Sequence, residues 1–398
     1  MDAGVDAGVD AGVDAGVNVG VNVEVNVEVG MSDRLEAILA DAVPRVCPAA
    51  VALIAVDGSV VASAAAGELV RYTGAEGGLA ADRPPARRDS IFDLASVSKL
   101  FTTVVLLSLA EEGLLDLDEP VTGLIEAADR SITPRRLLTH TAGLPAGRRI
   151  GDELPGPLTP ATARRLAGAR MAAMLRTPVV HPAGGPYLYS DVGMVMAGRL
   201  AELTGGAPLD VLVRDRVTNA LGLSATGYRP PRVLLDRIAA TEFKAERPGP
   251  GCVRGEVHDE TAYALGGVAG HAGVFAPAAD LLAFGEALRL GGAGVLRPSS
   301  VAEMTRDQGV EGAPFRHGLG VRIGDPGVAG PLADAYGHSG FTGTSLVVDP
   351  ARRLTVVLLT NAVHPVRGRD GIRELRGAVA AHAARLAGRL PASEARPA

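Results

Sequence analysis

The chain has 398 residues, 47% of them hydrophobic, which is enough apolar material for a sizeable core. Aromatic content is only 3% and Trp is absent, so that core must be built mainly from Ala, Val and Leu. The formal charge of −6 comes entirely from Asp2, Asp6, Asp10, Asp14, Glu24 and Glu28; the remaining 39 acids are matched by 39 bases, which argues against a nucleic-acid or anionic-membrane partner.

Two cysteines, Cys47 and Cys252, are too few for a disulfide framework and read as free thiols. No basic stretch followed by an apolar leader is visible, and no apolar run approaches the ~20 residues that span a bilayer. The expectation is a cytoplasmic protein without a membrane span.

Residues 2–17 are four copies of Asp-Ala-Gly-Val, and residues 17–29 alternate Val with Asn, Gly or Glu. Residues 1–30 read as a low-complexity, disordered tail, or as sequence upstream of a true start at Met31. The alternation has strand period and could add to a sheet edge. From Met31 an amphipathic helix begins, with Ser32 or Asp33 as N-cap. Two apolar runs, 49–56 and 60–66, flank Asp57-Gly58, a strong hairpin signal. Residues 72–90 read as a loop and 90–93 as a short strand leading into a helix that ends near Gly113. Between about 114 and 314 helical patterns and Pro/Gly loops dominate: 133–144, 161–175, 192–203, 209–221 and 279–290 read as helices, and 247–276 as a Gly-rich segment. Strand signals return at 317–323, 344–348 and 354–360, followed by a helix over 372–386. The expected fold class is α+β: an antiparallel sheet flanked by terminal helices, formed by residues 31–113 and 315–398, with a mainly helical domain inserted over 114–314.

The chemistry concentrates in Asp93 to Thr103, DLASVSKLFTT. Ser96 and Lys99 stand three apart, on one face of a helix. A serine hydroxyl is a weak nucleophile until a base takes its proton, and an amine becomes such a base when burial or a nearby charge lowers its pKa. A helix N-terminus also favours a developing oxyanion. The bare pattern is common on solvated helices. Here, however, Lys99 abuts an apolar run, and it is one of only two lysines among 39 basic residues, Lys244 being the other. Arginine cannot be deprotonated in practice, so a retained lysine suggests a place where arginine would not serve. Further along, YLYSDVG holds Tyr189, a possible proton shuttle if Lys99 supplies positive charge, although Tyr-Ser-Asp is also an ordinary loop sequence. YGHSGFTG holds His338 and Ser339 as hydrogen-bonding groups and Gly340, which lets backbone approach a ligand closely.

In this order, Ser96-Val97-Ser98-Lys99, Tyr189-Ser190-Asp191 and His338-Ser339-Gly340 resemble the serine hydrolases of the β-lactamase-related type: class C β-lactamases, D-alanyl-D-alanine carboxypeptidases and esterases that share their fold. The linking segments LLTHTAGLP and VHDETAYALGGVAGHAGVFA are similar too, and the likeness covers about residues 32–388. The resemblance implies Ser96 as acylated nucleophile, with Lys99 and Tyr189 sharing acid–base work as a coupled pair. It implies an oxyanion hole from the backbone N–H groups of Ser96 and Phe341, and substrate positioning by Asp191, His338 and Ser339. Two departures stand out. Asp191 replaces the more usual Asn, and His338 replaces a Lys, removing a permanent cation. Both favour neutral esters or amides over penicillin-like substrates.

His258, Asp259 and His271 form no metal-ligand motif, and no phosphate loop or G-x-S-x-G elbow is present. No metal or cofactor is expected. The expectation is a serine hydrolase of small-molecule esters, amides or lactams, esterase-like by preference. The alternatives are a β-lactamase, a D-alanyl-D-alanine carboxypeptidase, or a penicillin-binding-like sensor that is acylated without turnover.

Overall fold

A computed structural model describes residues 24–25, 31–126, 129–153, 159–249 and 251–389. The tail expected to be disordered lies outside these residues except for Glu24–Val25, which runs parallel to Ser59–Val60 at a sheet edge. The sheet has eight strands in the order 24–25, 59–67, 49–56, 354–360, 345–349, 336–339, 322–323 and 316–317, antiparallel after the first pair. It thus pairs the early hairpin with the late strands, Ala49–Val56 lying against Leu354–Thr360. The α+β expectation holds. The hairpin turns at Asp57 and Gly58, both with positive φ (53° and 81°), as the Asp-Gly signal required.

The apolar run Ala49–Val56 is continuous because both faces of its strand are covered. Its side chains divide with period two. Ala50, Ala52 and Ile54 join a core under the terminal helices Met31–Ala42 and Ile372–Ala387, with Leu35, Leu39, Val379 and Leu386. Val51 and Leu53 join a second, larger core with Leu281 and Phe284 of helix Ala278–Arg289. Helix Ser98–Glu111 is buried from Ser98 to Leu109, which explains its lack of a polar face. Phe101 stacks on Phe284 at 4.3 Å.

Four local expectations are corrected. The helix expected over 133–144 is confined to Pro134–Leu138, because His140 takes a φ of 57° that a helix cannot accommodate. The strand expected over 317–323 is a small hairpin, Arg316–His317 with Arg322–Ile323, turned through Gly318 and Gly320. The helix after Leu209 changes to a π turn over Arg214–Thr218. The Gly-rich segment contains a strand, Val274–Pro277, at the centre of a second sheet with Ile91–Asp93 and Gly227–Tyr228. That small sheet ends at the start of the Ser96 turn. Among the described residues no helix is long and apolar enough to cross a membrane. Cys47 and Cys252 are both free.

Asn361 ties the parts together. Its buried amide accepts the Ala49 N–H at 2.8 Å and donates to the carbonyls of Ala240 at 3.0 Å and Leu69 at 3.4 Å. Asn361→Ala leaves the Ala49 N–H and the Ala240 carbonyl without this partner, while the Leu69 carbonyl keeps the Ala240 N–H, and urea denaturation should show a loss of about 2–4 kcal/mol.

Candidate active site

Strand Ile91–Asp93 delivers the chain to Ser96 through a sharp corner. Ala95 has a φ of 46°, and its N–H donates to Asp93 Oδ1 at 2.8 Å, while Asp93 Oδ2 takes the His258 N–H at 2.7 Å. The Asp93 carboxyl is buried, and burial pushes its pKa up against the pull of those two amides. Thr342 and Thr344 donate to the Asp93 and Leu94 carbonyls at 2.8 and 2.9 Å, stitching the corner to the 340–344 turn. Ser96 then lies in a 3-10 turn (Ala95–Val97) that runs directly into helix Ser98–Glu111.

One turn on, Lys99 is fully buried. Its Nζ donates to Ser96 Oγ at 2.8 Å and to the His271 carbonyl at 3.3 Å, and lies 2.8 Å from Asp191 Oδ1. Burial alone would push the lysine pKa down, but Asp191 and Tyr189 outweigh it and hold the pKa above the ordinary value. The expectation of a lysine made basic by a lowered pKa is therefore corrected: Lys99 rests as an ammonium ion. Tyr189 donates to Ser96 Oγ at 3.1 Å, and the Lys99 ammonium lies 5.0 Å from its ring centre. Ser190 has a local task, capping helix Asp191–Gly205 by accepting the Gly193 N–H at 3.0 Å. Asp191 lies in the first turn of that helix, where the dipole favours a carboxylate. Its pairing with Lys99 means that it does not present an uncompensated negative charge.

Ser96, Tyr189, Asp191, Ser339, Gly340 and Phe341 face one cavity of about 620 Å³. His338 does not line it. The His338 ring is buried behind Tyr189, with centroids 6.3 Å apart, and its Nδ1 donates to the Ser339 carbonyl at 2.8 Å. Burial, with Arg322 and Lys99 nearby, holds its pKa well below the usual value, so the ring is neutral. Gly340 is required by close packing: a Cβ there would collide with Thr344 Oγ1 and the Leu94 carbonyl. Phe341 is 61% exposed at the rim, stacked beside His258 at 5.8 Å and Arg367 at 5.5 Å.

Sequence reading missed the arginines of this cavity, Arg322, Arg367, Arg369 and Arg376. In an arginine-rich chain, nothing in their spacing singles them out. Arg376 donates to the carbonyls of Gly340 and Thr344 at 2.9 and 3.1 Å, and burial beside Arg322 pushes its pKa down to about 10. Arg367 is neutralised by Glu242 at 2.8 Å and Glu260 at 2.6 Å. The loss of a cation at position 338 therefore does not leave the cavity without positive charge. Also missed was the buried pair His271–Asp259, joined at 2.7 Å, in which each partner's charge outweighs burial, raising the histidine pKa and holding the carboxylate far below its usual range. Among the described residues no three His, Cys, Asp or Glu side chains converge as metal ligands.

Comparison with known proteins gives one consistent picture. The family model described as Beta-lactamase matches residues 35–381. A protein of Escherichia coli named "Putative D-alanyl-D-alanine carboxypeptidase" is 30% identical over 349 residues, covering 78% of each chain. Among solved structures, "EstCE1, a hydrolase with promiscuous acyltransferase activity" superposes with a TM-score of 0.65 at 25% identity, covering 88% of this chain and 98% of that one. A penicillin-binding protein homologue from Caulobacter crescentus superposes with a TM-score of 0.67 at 21% identity, covering 90% and 98%.

The packing around residue 340 is testable. Gly340→Ala should lower stability by about 1–3 kcal/mol through overpacking, read as a fall in thermal midpoint, and should slow labelling of the protein by a fluorophosphonate.

Proposed function

The chain belongs to the beta-lactamase family, and from that premise we propose that it is a serine hydrolase working through an acyl-enzyme on small ester substrates, with amides and lactams as the wider class. The observation that carries this reading is the convergence of two proton-bearing groups on one oxygen. Ser96 Oγ lies 2.8 Å from Lys99 Nζ and 3.1 Å from Tyr189 Oη, beside an open cavity. Ser96 Oγ would attack the carbonyl carbon while its proton passes to the Tyr189–Lys99 pair. The N–H groups of Ser96 and Phe341 would hold the oxyanion. The pair would return the proton to the departing alcohol, and water would then release the acid by the same route.

At rest Ser96 Oγ accepts hydrogen bonds from both partners, so the pair must shed one proton before it can act as base. Activity should therefore rise with pH. Asp191 is the largest influence opposing burial in the raised pKa of Lys99, and removing that charge leaves only Tyr189 to oppose burial. The proton then leaves at lower pH.

A second reading, carboxypeptidase action on a D-alanyl-D-alanine peptide, has its own support. Arg376, which has no carboxylate partner among its described contacts, gives the cavity positive charge for a substrate carboxylate, and the 30% identical relative carries that name.

These readings separate in one set of assays with p-nitrophenyl butyrate, nitrocefin and a D-alanyl-D-alanine peptide. Ester turnover with a burst, and an acyl adduct on Ser96 by mass spectrometry, is the expected result. Stoichiometric labelling without turnover would instead mean a sensor. Ser96→Ala should lower kcat by several orders of magnitude, about 10⁴-fold or more, and wild-type turnover in that variant would sink the proposal. In Asp191→Asn the rising limb of the kcat/KM–pH profile should move to lower pH, and an unmoved limb would show that Lys99 is not part of the titrating pair.

A further inference from the structure

Tyr189 sits on a short extended segment between Leu188 and Ser190, and a backbone of that kind does not by itself hold a phenol to one position. Lys99, Arg322 and His338 lie 5.0, 5.3 and 6.3 Å from its ring centre, but one residue, His140, meets both its ring and its flanking amides. The His140 carbonyl accepts the Leu188 N–H at 2.9 Å, and its Nδ1 accepts the Ser190 N–H at 3.2 Å. The imidazole ring packs on the Tyr189 ring with centroids 4.6 Å apart. His140 is itself 2% exposed, wedged edge-on against Tyr187 and His317 at 5.9 and 5.4 Å. It holds this place in a left-handed conformation, with φ 57°, that a non-glycine residue adopts only when its surroundings impose it. Accepting an N–H requires a free lone pair on Nδ1. Burial, with His317, Lys99 and Arg322 nearby, keeps the ring neutral and supplies it.

We propose that His140 is the positioning residue for Tyr189: it grips the amides on both sides of the tyrosine and backs its ring, keeping the phenol within hydrogen-bonding reach of Ser96. The proposal rests on the reading of Tyr189 as a proton carrier. Because a displacement of about 1 Å can cost on the order of 100-fold in rate, loosening the grip should appear in kcat rather than in substrate binding.

Two substitutions divide the grip. His140→Asn keeps an acceptor at the position of Nδ1 and tolerates the left-handed backbone. His140→Phe keeps a ring and leaves the Ser190 N–H unpaired. With p-nitrophenyl butyrate, His140→Phe and His140→Ala should lose about 10- to 100-fold in kcat with KM changed less than about threefold. His140→Asn should recover most of that loss. Adding His140→Ala to Tyr189→Phe should cause little further loss, since the two act as a unit. Thermal midpoints identify any variant that merely fails to fold, in which case the Asn and Phe variants decide. Wild-type kcat in His140→Phe, losses that multiply in the double variant, or an Asn variant as slow as Ala at unchanged thermal midpoint would each overturn the proposal. If Tyr189→Phe alone turns over normally, the role assigned to Tyr189 falls; if it is inactive and His140→Phe is not, only this inference falls.

Discussion

A fully buried ammonium ion is the constraint on which this structure turns. An uncompensated charge of that kind costs several kcal/mol, so Lys99 requires a carboxylate. Asp191 supplies it at 2.8 Å, from the first turn of a helix whose dipole lowers the cost of the negative charge. The pair joins helix Ser98–Glu111 to helix Asp191–Gly205, the elements that directly follow the Ser96 turn and the Tyr189 segment. Geometry and charge are thus set by one contact: the same ion pair that brings the Tyr189 segment to the serine also fixes which proton is present at rest.

The surrounding electrostatics divide labour between two kinds of cation. Arginine keeps its charge even when buried, and four arginines line the cavity, with Arg322 paired to Asp325 and Arg367 to Glu242 and Glu260. Both lysines are buried beside carboxylates: Lys99 with Asp191, and Lys244 with Glu242 at 3.3 Å and with Glu260. Lys244, Glu242, Glu260, His258 and Arg367 form a compact network under Phe341. A half-satisfied network of this kind would be worse than an apolar wall, and here Lys244 and Arg367 each face Glu242 and Glu260, with His258 Nε2 within 2.9 Å of Glu242.

Much of this was legible in the sequence, for identifiable reasons. The Asp57-Gly58 turn, the apolar runs beside it and the buried helix after Ser96 declare themselves through local chemistry. The three motifs located Ser96, Lys99, Tyr189 and Gly340 because each needs a particular residue type at a particular spacing. What escaped was non-local. The pKa of Lys99 depends on a residue 92 positions later in the chain, Asp191, and the direction reversed once that carboxylate was in place. Reading lysine scarcity as a mark of catalysis was also too generous, since Lys244 shows the same burial with no serine partner in hydrogen-bonding contact among its described bonds. His338 illustrates the opposite limit: the motif located it, but only packing could reveal that its ring turns away from the cavity. His140 lay within a helical pattern, and only its backbone conformation removed it from the helix.

The contact between Arg376 and the Gly340 carbonyl has a consequence in time. Ser96 emerges early in synthesis, yet the turn opposite it is held by a guanidinium on the last described helix, Ile372–Ala387. The central strands likewise pair residues about three hundred positions apart. Contacts of such sequence separation are slow to form, because loop closure must precede their reward. A nascent chain that already carries Ser96, Lys99 and Tyr189 would still lack the Arg376 contact behind Gly340 until helix Ile372–Ala387 docks. The proposed chemistry would therefore wait on a late event, the docking of residues 372–387 against a turn whose partner serine lies about 280 positions earlier.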